Sequence, residues 1–322
     1  MRKILIFFII SLNFKIFSSD FLSILPTPMG EGSKGAVLTF SSSRLPLFYF
    51  NPSNSSSMFG QPRTSFVVFY EHKFLFSNLS DYNNLSFLLP ELKGVNFGFQ
   101  VLNQNINDIP IYPEYSDSFS FIPEGFFLDN YFAGILNFSY RTKGHKEKIF
   151  YELSLGGNIK SLYQKLFMNR GIGFGIDLGT TVKFSFNDFK SKIPGIFSFS
   201  LVYKDVAKTR IVWDTDSNTV NLIKDKFFTS ISYSIDIQKI KSNIFSEISY
   251  GLNDRKLMTS LIYTYSNIIG FNIGYNQNLF ERSDIKNIGF GVFLNILNGS
   301  IYYSLSIFEI GNTNSIGVAY LF

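Results

Sequence analysis

The sequence predicts an all-β protein: a transmembrane antiparallel β-barrel of fourteen strands with an N-terminal plug segment. Three observations carry this reading. From about residue 65 onward, apolar and small polar residues alternate with period two in recurring runs of 9–13 residues. Such runs are longer than soluble strands and match the roughly 9–11 residues needed to cross a bilayer at a tilt. The chain ends NSIGVAYLF, with Ile316, Val318, Tyr320 and Phe322 at every second position and an aromatic as the last residue. Of 322 residues, 45% are hydrophobic, 18% aromatic and only 16% charged, against about 25% charged in typical soluble domains.

The N-terminus reads as an export signal over residues 1–19. Met1, Arg2 and Lys3 form a positive start, Ile4 to Leu12 a nine-residue apolar core, and Ser18 and Ser19 a small-residue site before Asp20. Nine residues are too few to span a bilayer. No later stretch reaches 18 apolar residues, which excludes a helical membrane protein. Residues 20–63 carry Pro26, Pro28, Pro46, Pro52 and Pro62, each a missing ladder donor, so they are not membrane strands. Leu45, Leu47, Phe48, Tyr49 and Phe50 also make the segment too apolar for a free tail. It is expected to fold into the lumen as a plug, with the barrel over residues 64–322.

Within the barrel, Phe97 and Phe99 oppose Asn96, Gly98 and Gln100. Ile231, Tyr233 and Ile235 oppose Ser230, Ser232 and Ser234, and Phe271, Ile273 and Tyr275 oppose Asn272, Gly274 and Asn276. Side chains leave a strand on alternate faces, so each run has one apolar and one polar face. A soluble sandwich alternates too; the strand lengths favour the barrel. Fifteen runs can be counted, from 65–72 to 314–322. A single-chain bacterial barrel takes an even number, so the run 208–214 is set aside. Connections at 295–299, 266–267 and 239–242 should be short and periplasmic, and those at 309–314, 276–286 and 252–256 should lie outside. Residues 104–128, with Pro110, Pro113 and Pro123, read as a long loop whose Phe119, Phe121, Phe126 and Phe127 could admit a ligand.

Catalytic and metal chemistry finds no foothold. The chain has no cysteine, and His72 and His145 have no partners at ligand spacing. No nucleophile elbow or phosphate-binding loop occurs. Gly171, Gly173, Gly175 and Gly179 fit better as the small-residue face of a strand beside an obstacle. Asp177, Glu152, Glu247 and Asp236 fall on inward faces, where charges tune permeation or touch a plug. The net charge of +5 is spread along the chain and offers no nucleic-acid surface. No cofactor, metal or enzymatic activity is expected.

A family resemblance now has residues to rest on. FYFNPSNSSSM, residues 48–58, resembles the Phe/Trp-Asn-Pro-Ala-Gly-Leu element of FadL-type outer-membrane proteins, the long-chain fatty-acid transporters and their PorV-like relatives. Asn51 and Pro52 match that plug signature, whereas Ser53-Asn54-Ser55 replaces Ala-Gly-Leu. FVVFYEHKFLFSN follows at the first-strand position, and FSLVYKDVAKTRIVWD with KFFTSISYSI resembles the mid-barrel strand, irregular stretch and strand. The resemblance implies a plugged fourteen-stranded barrel in the outer membrane and passive uptake of hydrophobic small molecules such as long-chain fatty acids. The terminal Ile316, Val318, Tyr320 and Phe322 resemble the signal read by the barrel-insertion machinery. The expected partners are therefore outer-membrane lipid, a hydrophobic ligand and that machinery during assembly. A general diffusion porin, or a surface or secretion-shuttle barrel, remains the alternative.

Overall fold

The computed structural model describes residues 24–55, 63–112, 123–146, 149–186, 195–206, 208–215, 219–279, 287–308 and 311–322. The export signal, Phe119 and Phe121 lie outside these residues. The strands are β1 (Val67–Leu75), β2 (Ser80–Leu88), β3 (Val95–Ile111), β4 (Gly125–Lys146), β5 (Ile149–Leu166), β6 (Asn169–Phe186), β7 (Ile196–Lys204), β8 (Arg210–Trp213) and β9 (Val220–Leu222). They continue with β10 (Lys226–Ile237), β11 (Ser242–Gly251), β12 (Lys256–Tyr265), β13 (Ile269–Asn278), β14 (Asn287–Ile296), β15 (Gly299–Phe308) and β16 (Gly311–Leu321).

Fourteen of them close a ring. Neighbours pair antiparallel from β1 to β7 and from β10 to β16, β7 pairs β10, and β16 returns to β1 from Val67↔Leu321 to Phe74↔Asn314. Closure leaves the ring no open edge, the condition under which strands can cross a hydrocarbon layer. β8 and β9 stand outside the ring as a short hairpin. β7 covers β6 only from Leu178 to Ser185, so β8 pairs the stretch of β6 from Gly171 to Phe174 that would otherwise be exposed. β8 falls in the run 208–214 that the even-number rule excludes.

The faces segregate as the alternation predicts. Phe97, Phe138, Ile231, Phe271 and Ile301 point outward and are exposed, while Ser230, Ser232, Ser249, Asn272 and Ser304 point inward and are buried. Ile316, Val318, Tyr320 and Phe322 are 47–70% exposed. This is a soluble protein turned inside out, the arrangement stable in a hydrocarbon surround. The turns at 238–241, 266–268 and 297–298 are short and lie at the end of the ring that carries Phe322.

Two expectations need correction. The loop over 104–128 shrinks, because β3 runs to Ile111 and β4 starts at Gly125. A register shift between Ile106 and Ile109, with Asp108 at φ 56°, carries the ladder past the irregularity, and Pro110 then faces Phe126 at the strand tips. A bulge and one missing donor disturb the ladder locally without ending it. The connection expected over 309–314 is shorter, since β16 begins at Gly311.

Candidate functional site

The candidate site is the interior of the ring, where residues 24–55 pack against inward side chains from almost every direction. Local chemistry shapes this segment first. The Thr27 hydroxyl accepts a 3.1 Å bond from the Gly30 amide and caps a single helical turn, α1 (Pro28–Gly32), with proline at its start. A 3₁₀ turn follows at Pro52–Ser55. Asn51 organises the chain between them. Its Nδ2 donates to the Leu38 carbonyl (2.7 Å) and to Thr181 Oγ1 (2.9 Å), and its Oδ1 accepts from the Ser53 amide (3.0 Å) and hydroxyl (2.8 Å). A buried asparagine used on both ends fixes backbone that has no ladder of its own.

The wall supplies the remaining bonds. Asn137 donates to the Pro52 carbonyl at 2.9 Å, and Asn158 to the Phe48 carbonyl at 3.0 Å. Ser260 donates to the Ala36 carbonyl at 2.6 Å, and Asn272 to the Met29 carbonyl at 3.1 Å. Glu247 accepts the Leu38 amide (2.7 Å), the Thr39 amide (3.0 Å) and the Thr39 hydroxyl (2.6 Å). The wall also makes room. A Cβ on Gly156 would lie 2.3 Å from the Pro52 carbonyl, and one on Gly179 would lie 2.1 Å from Asn51 Oδ1. Only glycine permits so close an approach of two backbones.

Charge ties α1 to β1. Lys73 lies 3.1 Å from Glu31 and 3.5 Å from Glu71, and Lys34 lies 3.3 Å from Glu31. Lys73 also donates to the Leu25 carbonyl, and the Thr27 amide donates to Glu71 at 2.7 Å. Burial alone would raise the Glu31 carboxyl, but Lys73 and Lys34 outweigh it and hold it down at about 2. A second buried cluster joins Lys160 to Asp177 at 2.7 Å and Asp205 at 2.6 Å. A third joins Arg141 to Glu91 and Glu152.

The segment leaves space at both ends of the ring. A cavity of about 870 Å³, lined by Phe40, Arg44, Asp236, Thr264 and Tyr302 among others, lies toward the end that carries Phe322. A cavity of about 360 Å³ at the opposite end is lined by Leu25, Tyr49, Lys204, Ile223 and Phe228 among others. On β12 the two are separated by Ser260 and Ile262, at the level where Ser260 holds Ala36.

Of the residues singled out in the sequence, Asn51 and Pro52 meet the wall directly, and Asp177, Glu152 and Glu247 face inward and are engaged. Asp236 lines the larger cavity. Phe126 lies exposed on β4, and Phe127 packs edge-on against Phe167 at 5.6 Å. His72 points outward and pairs with Asn83 at 2.9 Å. Among the described residues no group of three or more His, Cys, Asp or Glu could hold a metal. Sequence reading missed the Glu31–Lys73–Glu71 cluster. The only available signal was Glu71 and Lys73 two residues apart on an inward face between Phe69 and Leu75.

Comparison with known proteins adds likeness of shape. No protein-family profile matches the chain, and no curated protein does. Among solved structures, the Pseudomonas putida toluene transporter TodX aligns at 11% identity with a TM-score of 0.44, covering 84% of this chain and 91% of its own. The CymD monoaromatic hydrocarbon channel aligns at 10% identity and a TM-score of 0.46, covering 92% and 97%. The Acinetobacter baumannii outer membrane protein Omp33 aligns at 8% and 0.44, covering 80% and 98%. At such values the substrates in those names do not transfer to this chain.

Proposed function

We propose that this chain is a FadL-type outer-membrane barrel through which hydrophobic small molecules, long-chain fatty acids among them, pass down their gradient. Residues 20–63 act as the plug, with Asn51 and Pro52 as its signature. The observation that carries this reading is a segment bonded across the lumen with a cavity on either side of it. An open diffusion porin would want that lumen clear. An outward apolar band and an inward polar face suit lipid outside and a filled interior. Phe126 and Phe127, on the long β4 strand, stand with Phe119 and Phe121 as proposed mouth aromatics. No catalytic step, cofactor or nucleic acid enters this reading.

Passage requires the 36–39 stretch to leave the wall, and this can be tested. Thr39 Oγ1 and Ser232 Oγ lie 2.6 Å apart, close enough for a cysteine pair to bridge. The chain has no cysteine of its own, so Thr39→Cys with Ser232→Cys makes a single disulfide. The oxidised form is expected to lose most fatty-acid uptake into proteoliposomes and to regain it on reduction. Equal uptake in both forms would overturn the moving plug.

We also propose that Ile316, Val318, Tyr320 and Phe322 form the signal taken by the insertion machinery. Deleting Phe322 is expected to cut the heat-modifiable, folded barrel recovered from membranes several-fold. Undiminished recovery would sink that assignment.

A further inference from the structure

Beyond hydrophobic passage, we infer that the 870 Å³ cavity binds a neutral polyhydroxylated ring, a small sugar, that enters from the end of the barrel carrying Phe322. One ladder row builds its wall. Asp236 pairs Asn243, Asn243 pairs Thr264, and Thr264 pairs Gly270. Gly270 in turn pairs Phe293, and Phe293 pairs Tyr302. Residues directly opposite each other share a face, so from β10 to β15 the same inward row passes from a polar half to an aromatic half.

The polar half has hydrogen-bonding capacity to spare. Asp236 and Thr264 line the cavity, and neither side chain makes a hydrogen bond or ion pair among the described residues. Gln238 and Asn267 stand at the rim, beside the turns that follow β10 and β12, with side chains likewise unengaged. Ser43 offers a free hydroxyl from residues 24–55 on the other side of the space. A carboxylate, hydroxyls and amides together can both accept and donate.

The aromatic half is fixed in place. Phe293 and Tyr302 stack with centroids 5.8 Å apart and 29° between their planes. Gly270 makes room for them, since an added Cβ there would lie 2.1 Å from the Phe293 ring. Phe40, packed edge-on against Phe245 at 5.0 Å, and Leu45 complete the apolar side.

The charged groups narrow the class of ligand. The Arg44 guanidinium lines the space but is committed to the carbonyls of Leu297 (2.9 Å) and Gly299 (3.1 Å) and to the Ser300 hydroxyl (3.2 Å). Lys241 stands at the rim. A free anion would meet Asp236, and a free cation would meet Arg44 and Lys241. A hydrocarbon would strip water from Asp236 and Thr264 and return no hydrogen bond. A sugar answers both halves. Neighbouring hydroxyls donate to Asp236, a charge-assisted bond about twice as strong as a neutral one, while the C–H face of the ring covers the apolar side. The volume of about 870 Å³ lies within the range of small-molecule sites, roughly 300–1,000 Å³.

The test uses the full-length barrel at neutral pH in lauryldimethylamine oxide, a detergent without a sugar head, and saturation-transfer difference NMR titrations. The probes are maltose, cyclohexanol, glycylglycine, choline and acetate. Maltose is expected to bind at least five-fold more tightly than each of the others. Asp236→Ala should weaken maltose five-fold or more, and Thr264→Val should do so in smaller measure, both without changing cyclohexanol. Neither side chain holds another part of the protein, and heat-modifiable migration on gels reports that each variant remains folded. Absent saturation transfer to maltose, or maltose binding indifferent to both variants, would overturn the site. Cyclohexanol binding as tightly as maltose would show that hydroxyls are not read. Equal binding of glycylglycine, choline or acetate would show that charge is read instead, and either result overturns the assignment. Nothing in this measurement requires passage across a membrane, so its failure and that of the transport reading are told apart.

Discussion

Valine in place of Gly156 is expected to push Asn51 and Pro52 off the wall and turn a silent barrel into a leaky one. The Cβ that valine adds would lie 2.3 Å from both the carbonyl carbon and oxygen of Pro52 and 2.5 Å from the Ser53 nitrogen. These are backbone atoms, and Asn137 already grips the Pro52 carbonyl at 2.9 Å, so no rotamer change relieves the clash. Overpacking of this kind costs about 1–3 kcal/mol, and more where backbone must move. The ladder partners of Gly156, Ser139 on β4 and Gly179 on β6, keep their register, and a β-branched residue suits a strand. The strain should therefore fall on the segment and spare the ring. Gly157 supplies the control. A Cβ there points to the outer face, where its nearest neighbours are the Asp177 carbonyl at 3.6 Å and Leu178 at 3.7 Å. In planar bilayers, Gly156→Val should show large conductance steps while Gly157→Val stays as quiet as the wild type. A quiet Gly156→Val channel would refute the view that Asn51–Pro52 seats the plug.

The contrast between those two glycines also shows where sequence reading succeeds and where it stops. Period-two alternation exposes the ring because every outward residue meets one environment and every inward residue another. The face of Phe271 or Ser232 follows from parity alone. The count of fourteen follows from the even-number rule, and the structure agrees because β8 is too short to cross and pairs only its hairpin partner β9 and the free stretch of β6. Parity also places Gly171, Gly173, Gly175 and Gly179 beside an obstacle, but not beside the same one. Gly179 yields to Asn51 and Pro52, whereas Gly171 and Gly173 yield to Ile211 and Trp213 of β8, and Gly175 to Thr209. What fills the space is a tertiary fact.

Sequence alone places a loop at the tips of β3 and β4 for a related reason. Prolines mark lost donors, and a sequence does not show that a bulge at 107–108 lets pairing resume beyond them. The charge network is the least legible part of the site. Glu31 and Lys73 lie 42 residues apart, and nothing local to either predicts that they meet.

The meeting of Glu31 and Lys73 carries the other large expected effect. Lys73→Met should release residues 24–55 from the wall at neutral pH, because it leaves Glu31 and Glu71 buried without the cation they share. Removing one partner of a buried ion pair typically costs about 3–5 kcal/mol, a large share of what can hold a segment of this size. Methionine keeps the length and most of the volume of the lysine stem, so what is lost is the charge and the ammonium's bond to the Leu25 carbonyl. The pH dependence should reverse sign. In the wild type the Glu31 carboxyl is held at about 2, below its unfolded value of about 4.3. Its contribution is therefore present above the unfolded value and lost as pH falls through about 2. In Lys73→Met, burial continues to favour the neutral acid while the main opposing charge is gone, so the carboxyl moves upward. Destabilisation is then greatest at neutral pH and eases as acid protonates the Glu31 carboxyl. Hydrogen exchange of residues 24–55, followed from pH 7 to pH 3, reads both slopes. Wild-type protection should hold or decline toward acid while the variant starts low and gains. Parallel curves would show that Lys73 does not hold the segment through Glu31.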